Sequence, residues 1–154
     1  MNRIRHRLEE LNITLPEAPR PVAAYVPAVR SGDLIFVAGQ IPFSGGELIS
    51  AGSVPSAVSV DQAASAARQC ALNGLAAAAA LLSGDLDRIS RIVRLDVFVA
   101  SDAGFHDQAT VANGASELLR DVFGEAGLHV RAAVGCIGLP LNATVMVEMV
   151  VEAP

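Results

Sequence analysis

The sequence predicts an α+β domain: one mixed β-sheet with two helices packed on one face, and a short helix at the N-terminus. Three observations carry that prediction. Extended, β-branched runs come in pairs towards both ends of the chain, each pair joined at turn-forming residues. Between them lie two long stretches of helical periodicity, separated by the clearest strand pattern in the sequence. A length of 154 residues is that of one domain large enough to bury a real core. Residues 1–154 therefore read as a single domain, of which 1–20 are an N-terminal helix and connector.

The elements follow in order. In NRIRHRLEEL, Ile4, Leu8 and Leu11 stand at helical spacing. Arg3, Arg5 and Arg7, followed at once by Glu9 and Glu10, suit the solvated side of that helix rather than a basic patch. The prolines of ITLPEAPRPVA enforce an extended connector. AAYVPAVRSGDLIFVAGQIPF reads as two strands turning at Ser31-Gly32-Asp33, and Pro27 places the first on a sheet edge or at a bulge. Gly45-Gly46 and SAGSVPS mark a loop, with a short strand over 47–49.

Ser59, with Gln62 three residues later, matches a capping box. A helix starts near Val60 and ends around Ser83-Gly84, and its alanine-rich face permits close packing on a sheet. RISRIVRLDVFVAS is the strongest strand, with Arg91 and Arg94 exposed beside its early part. The second helix covers 107–123, with Val111, Ala115, Leu118 and Val122 on one face and Gly124 ending it. HVRAAVGCIGLPLNATVMVEMVVEAP then closes the chain as a hairpin of two buried strands joined at Leu139-Pro140.

Hydrophobic residues make up 52% of the chain and charged residues 18%, greasy for a soluble monomer. The longest uncharged run, 69–84, is mostly alanine and contains Asn73 and Ser83, so it falls short of a membrane span. The surplus is better explained by an oligomer that buries the sheet face left bare by the helices. A net charge of −5 argues against a general nucleic-acid binder. The two cysteines, Cys70 and Cys136, sit in apolar surroundings and read as buried free thiols. With no secretory signal at the N-terminus, a reducing cytoplasm is the expected compartment.

Standard catalytic motifs are absent: no GxGxxG, no phosphate-binding loop, no HExxH, no GxSxG. His6, His106 and His129 are scattered without metal-ligand spacing and read as surface residues. Cys136 has no partner in sequence that would lower its pKa. Two features remain. VAGQIP interrupts a strand with Gly39, which marks either a bulge or a close approach by a ligand or another backbone. Arg131 heads an apolar strand on which Ala133 and Gly135 share its face, leaving room for a small anion gripped bidentately. The competing reading is a salt bridge to Asp96, to Glu148 or to a neighbouring subunit.

Taken together, YVPAVRSGDLIFVAGQIP, VRLDVFVAS and VRAAVGCIGLPLNATVMVEMVV resemble the Rid superfamily, the YjgF-like reactive-intermediate deaminases. The pieces stand in the family's order over 25–151, and the closing motif keeps Arg131, Leu139-Pro140 and Glu148 in register. The N-terminal extension looks like that of a longer branch. The resemblance implies a chorismate-mutase-like fold and a homotrimer, with sheets lining a central barrel and ligand clefts between subunits. It implies that Arg131 holds the carboxylate of a 2-imino or enamino acid, and that backbone near Gly39 and Ala133 contacts the reacting end. Tyr25 and Asn113 would contribute to the cleft. A glutamate near the end of the chain would activate water, releasing ammonia and a 2-keto acid without metal or organic cofactor.

This chain departs from that pattern in ways that bear on chemistry. The family's water-handling glutamate falls at Met146, which can neither accept nor donate a proton. Glu148 lies on the same strand face, about 7 Å further along, and would replace it as the catalytic carboxylate only with a shift of the substrate or the strand; otherwise it is a structural charge or the partner of Arg131. Ala38 stands in place of a serine hydroxyl, and Ala132 and Ala133 follow the arginine. Three functions are thus expected in competition: a hydrolytic imine deaminase, a non-catalytic trimer binding small carboxylates, and, against the acidic charge balance, a ribonuclease.

Overall fold

The computed structural model describes residues 2–20 and 23–154; Met1, Pro21 and Val22, and with Pro21 part of the predicted connector, lie outside the described residues. The strands are β1 (Ala28–Ser31), β2 (Leu34–Gln40), β3 (Phe43–Ser44), β4 (Glu47–Leu48), β5 (Arg91–Ala100), β6 (Val130–Cys136) and β7 (Val145–Glu152). Five of them form one mixed sheet in the order β1-β2-β7-β5-β6, while β3 and β4 pair as a small ribbon. Pro27 leads into β1 at the sheet edge, where a missing backbone donor is tolerated.

Alternation sets the faces. On β7, Val145, Val147, Met149 and Val151 are buried, and Met146, Glu148 and Val150 between them face the other way. Across from them, Ile92, Leu95, Val97 and Val99 of β5 are buried on the same side. Helices α2 (Val60–Leu81) and α3 (Gln108–Phe123) cover this side. Each fully buried residue of Leu75, Leu95 or Leu119 type contributes about 1.5–3 kcal/mol.

The predicted capping box is present. Gln62 N donates to Ser59 Oγ at 3.1 Å, and Ser59 N donates to the Gln62 side chain at 3.1 Å. The small residues of α2 let α3 approach so closely that a Cβ on Gly114 would sit 1.9 Å from the Ala64 carbonyl oxygen. Asn73, buried in α2, donates to the carbonyls of Ile41 and Phe43 at 3.2 and 3.0 Å and so ties the loop after β2 to the helix. The N-terminal helix α1 (Arg3–Glu10) docks through buried Ile4 and Leu8. Its first amides, of Arg3 and Ile4, each donate to the Asp87 carboxylate at 2.9 Å.

Two expectations are corrected. The closing segment is not a hairpin of buried strands: β7 inserts between β2 and β5, and β6 runs parallel to β5 on the far side. A fully alternating strand such as β7 can be paired on both edges, whereas no residue of β6 is buried and β6 forms the edge. Leu141 and Asn142, both in left-handed conformations (φ 56° and 61°), redirect the chain between them. The thiols also differ. Cys70 is buried, and burial pushes its pKa well up; Cys136 is only partly buried, at the end of the edge strand.

The sheet face away from the helices is open and largely apolar, as the sequence implied. Val29, Phe36 and Val134 on it are 53%, 43% and 45% exposed. No helix among the described residues is long and apolar enough to cross a membrane.

Candidate functional site

Arg131 lies opposite Leu95 in the β5–β6 register, so it points to the helix side of the sheet. Being on an edge strand, it stays exposed and avoids the cost of burying a charge. Its Nη1 donates to Asn113 Oδ1 at 2.8 Å and to Ser116 Oγ at 3.2 Å, which uses both of that nitrogen's protons. Asn113 and Ser116 are three residues apart on α3 and therefore neighbours on one helical face. Gly114 between them sets how close that helix lies to α2. Neither Nε nor Nη2 of Arg131 bonds to a described residue, so the side of the guanidinium suited to a bidentate carboxylate is open.

His129, two residues earlier on the same side, continues the network. Its Nδ1 lies 2.7 Å from the Gly127 carbonyl oxygen, which can only accept, so Nδ1 carries the proton. Nε2 is then the acceptor, 3.0 Å from Ser116 Oγ, and the serine hydroxyl donates to it. Burial lowers the His129 pKa, the Gly127 carbonyl works in the opposite direction, and the Arg131 charge lowers it further. The chain of bonds runs in one sense: Arg131 to Ser116, Ser116 to His129, His129 to Gly127.

The competing reading, a salt bridge from Arg131 to Asp96 or Glu148 of the same chain, is not what forms. Asp96 is held by Arg94 instead, Nε to Oδ2 at 2.8 Å, and Glu148 faces the opposite side of the sheet. Asp96 and Glu148 stand directly across from each other there, lining a shallow groove of about 320 Å³ with Val29, Phe36 and Val150. Met146, opposite Phe98, shares that face. It lies over a bulge in β2: Val37 pairs with Met149 and Gln40 with Val147, leaving Ala38 and Gly39 out of register. A Cβ on Gly39 would come within 2.7 Å of Met146 Sδ, so glycine here makes room for the methionine.

One chain thus brings some predicted residues together and separates others. Arg131 and Asn113 touch, and Ala133 follows on the same face, partly buried against the core. Gly135 completes that wall, where a Cβ would lie 2.7 Å from Gln108 Nε2. Gly39 and Glu148 are on the open face, and exposed Tyr25 precedes β1 at the opposite edge of the sheet. Four strand spacings, about 19 Å, separate β1 from β6. A cavity of about 730 Å³ between α1 and the turn at residues 83–87 contains none of these residues. Ser116 and His129 were missed in the sequence, although the Asn113-x-x-Ser116 and His129-x-Arg131 spacings hold the signal once the helix and strand are assigned.

Comparison with known proteins agrees with this architecture. A family model described as "YjgF/chorismate_mutase-like, putative endoribonuclease" matches residues 5–153. The protein TCP17 of Trypanosoma cruzi is 43% identical over 151 residues, covering 97% of this chain and 94% of its own. The crystal structure of Atu1372 from Agrobacterium tumefaciens, a protein of unknown function, superposes with a TM-score of 0.92 at 45% identity, over 99% of this chain and 94% of that one. A "putative endoribonuclease" of Shewanella oneidensis gives a TM-score of 0.93 at 30% identity, over 98% and 99% of the two chains. With its five-stranded mixed sheet, its helices on one face and a family match over nearly its whole length, the chain belongs to the YjgF/chorismate mutase-like family.

Proposed function

We propose that this protein is a homotrimer that binds small carboxylated imines or enamines in clefts between subunits, and hydrolyses 2-imino acids to 2-keto acids and ammonia. The observation that carries the proposal is the open Nε–Nη2 edge of Arg131, held in place through Nη1 by Asn113 and Ser116. A pre-oriented guanidinium loses little freedom on gripping a carboxylate. The separation of Arg131 and Asn113 from Tyr25, Gly39 and Glu148 supports a cleft completed by a second copy. The open apolar sheet face supplies surface for such an assembly.

In the proposed reaction, the carboxylate of a protonated 2-imino acid sits on Arg131 and water attacks the adjoining C=N carbon. The new C–O bond forms as the C=N π pair moves to nitrogen, giving a carbinolamine. One water proton passes from oxygen to nitrogen, the C–N bond breaks as the carbinol oxygen forms the C=O bond, and the remaining hydroxyl proton leaves with the ammonia as ammonium, giving the 2-keto acid. Free imines hydrolyse readily, so orientation and one proton acceptor suffice.

Met146 favours a second reading, a trimer that binds small carboxylates without turnover. The family's endoribonuclease description fits this chain poorly, since its net charge is −5 and its groove carries Asp96 and Glu148. Generating 2-iminopropionate in situ with an amino-acid oxidase separates the readings. Acceleration by wild type that is lost in Arg131→Ala supports the deaminase. An inert wild type beside an active Met146→Glu shows that the chemistry is lost at Met146, and a thermal-shift screen with small carboxylates then tests the binding reading; inertness of both removes the imine hypothesis.

A further inference from the structure

We propose that His129 is a proton-linked modulator of the Arg131 anchor: with its imidazole protonated, the site holds small carboxylates of net negative charge more tightly. The inference rests on the reading of Arg131 as carboxylate anchor and deepens it, by naming the ligand charge that the site favours and the group that regulates it. Its own basis is the directed chain of hydrogen bonds from guanidinium to ring. Arg131 Nη1 donates to Ser116 Oγ at 3.2 Å, Ser116 Oγ donates to His129 Nε2 at 3.0 Å, and His129 Nδ1 donates to the Gly127 carbonyl at 2.7 Å. The imidazole is thus within two hydrogen-bond lengths of the guanidinium. A ligand on the Nε–Nη2 edge lies across the guanidinium from Ser116 and does not touch the ring, so the link between them is one of charge.

Charge sets the sign. Without ligand, burial and the Arg131 charge both oppose protonation of His129. A carboxylate on Arg131 neutralises the guanidinium and attracts an imidazolium, so the bound ligand raises the His129 pKa. Reciprocity then requires that protonation of His129 raise the affinity for that ligand. The gain develops as pH falls below about 6.5, through the pKa of the bound and then of the free protein. A protonated 2-imino acid carries no net charge, because its cationic nitrogen offsets its carboxylate, whereas the 2-keto acid is an anion. The imidazolium therefore favours product over substrate. The network survives the change: Ser116 Oγ has two acceptor positions, enough for Nε2–H and for Arg131 Nη1, while its own hydroxyl turns to a carbonyl of the preceding helical turn. Arg131 is the charge that acts on His129. Glu117 and Arg120 on α3 and Glu125 in the following turn are exposed, and Arg94 and Asp96 of β5 pair with each other on the other face. His6 and His106 stand outside the network.

The test uses the intact oligomer and pyruvate, which stays ionised over the whole range. Calorimetric titration should show wild type binding pyruvate roughly threefold more tightly at pH 5 than at pH 7.5, the order expected of one screened charge beyond the guanidinium. At pH 6, titration in buffers of different ionisation enthalpy should show proton uptake on binding, and His129→Gln should show neither effect. Alanine, a zwitterion like the protonated imine, should gain nothing at the lower pH. A separate measurement needs no variant: imidazole ¹⁵N titration of wild type should show the His129 pKa rising when pyruvate is bound. A His129 pKa indifferent to pyruvate, the same pH dependence in His129→Gln, or an equal gain for alanine overturns the proposal while leaving the anchor standing. Pyruvate that fails to bind wild type, or binds Arg131→Ala equally well, overturns the anchor reading and this proposal with it.

Discussion

Arg131 gives one nitrogen of its guanidinium to the protein and leaves the opposite edge to solvent, and its neighbours are explained by that division. Asn113 and Ser116 fix the group, and His129 fixes Ser116. His129 also makes stability depend on pH. Its folded pKa is lowered, so on acidification the unfolded chain takes up the proton first. Its contribution is therefore complete above the unfolded value of about 6.5 and is lost as pH falls from there through the folded value. Urea denaturation at pH 7.5 and 5 should show a stability loss at the lower pH that is smaller in His129→Gln. On the other face, Gly39 and Met146 share one space. Gly39→Ala should cost about 1 kcal/mol, and clearly less in a Met146→Ala background, in a double-mutant denaturation cycle.

Among the elements, α3 connects core packing to the site. Gly114→Ala forces a Cβ against the Ala64 carbonyl, which is backbone and cannot turn aside. About 3 kcal/mol of destabilisation is expected in urea, with α3 displaced from Arg131. Asp87→Ala, by removing the acceptor of two α1 amides, should cost about 1 kcal/mol and speed amide exchange in α1 alone. Most elements were legible because their signals are local: Ser59 and Gln62 announce α2, Gly124 ends α3, and the alternation of VMVEMVVE declares a strand. The pairing of β6 and β7 was not. Leu139-Pro140 shows where the chain turns, but which strand each run pairs with depends on contacts distant in sequence. The same limit hid the Ser116–His129 link, since its two residues lie 13 apart and meet only when α3 packs beside β6.

At the scale of the molecule, the residues implied by the family resemblance divide between two surfaces. Arg131, Asn113 and Ala133 lie at the β6 edge on the helix side, and Gly39 and Glu148 on the open face, with Tyr25 beyond the other edge. A second copy is what would bring these surfaces together, so the proposed assembly and the proposed site stand or fall jointly. Light scattering should give a mass near three times 15.9 kDa, and Phe36→Asp, placing a charge on the open apolar face, should yield smaller species. The central claim is that Arg131 anchors a small carboxylate, and calorimetric titration with pyruvate tests it most directly. Losing a bidentate, charge-assisted grip in Arg131→Ala should weaken binding on the order of 100-fold. Equal affinity in wild type and Arg131→Ala would contradict it.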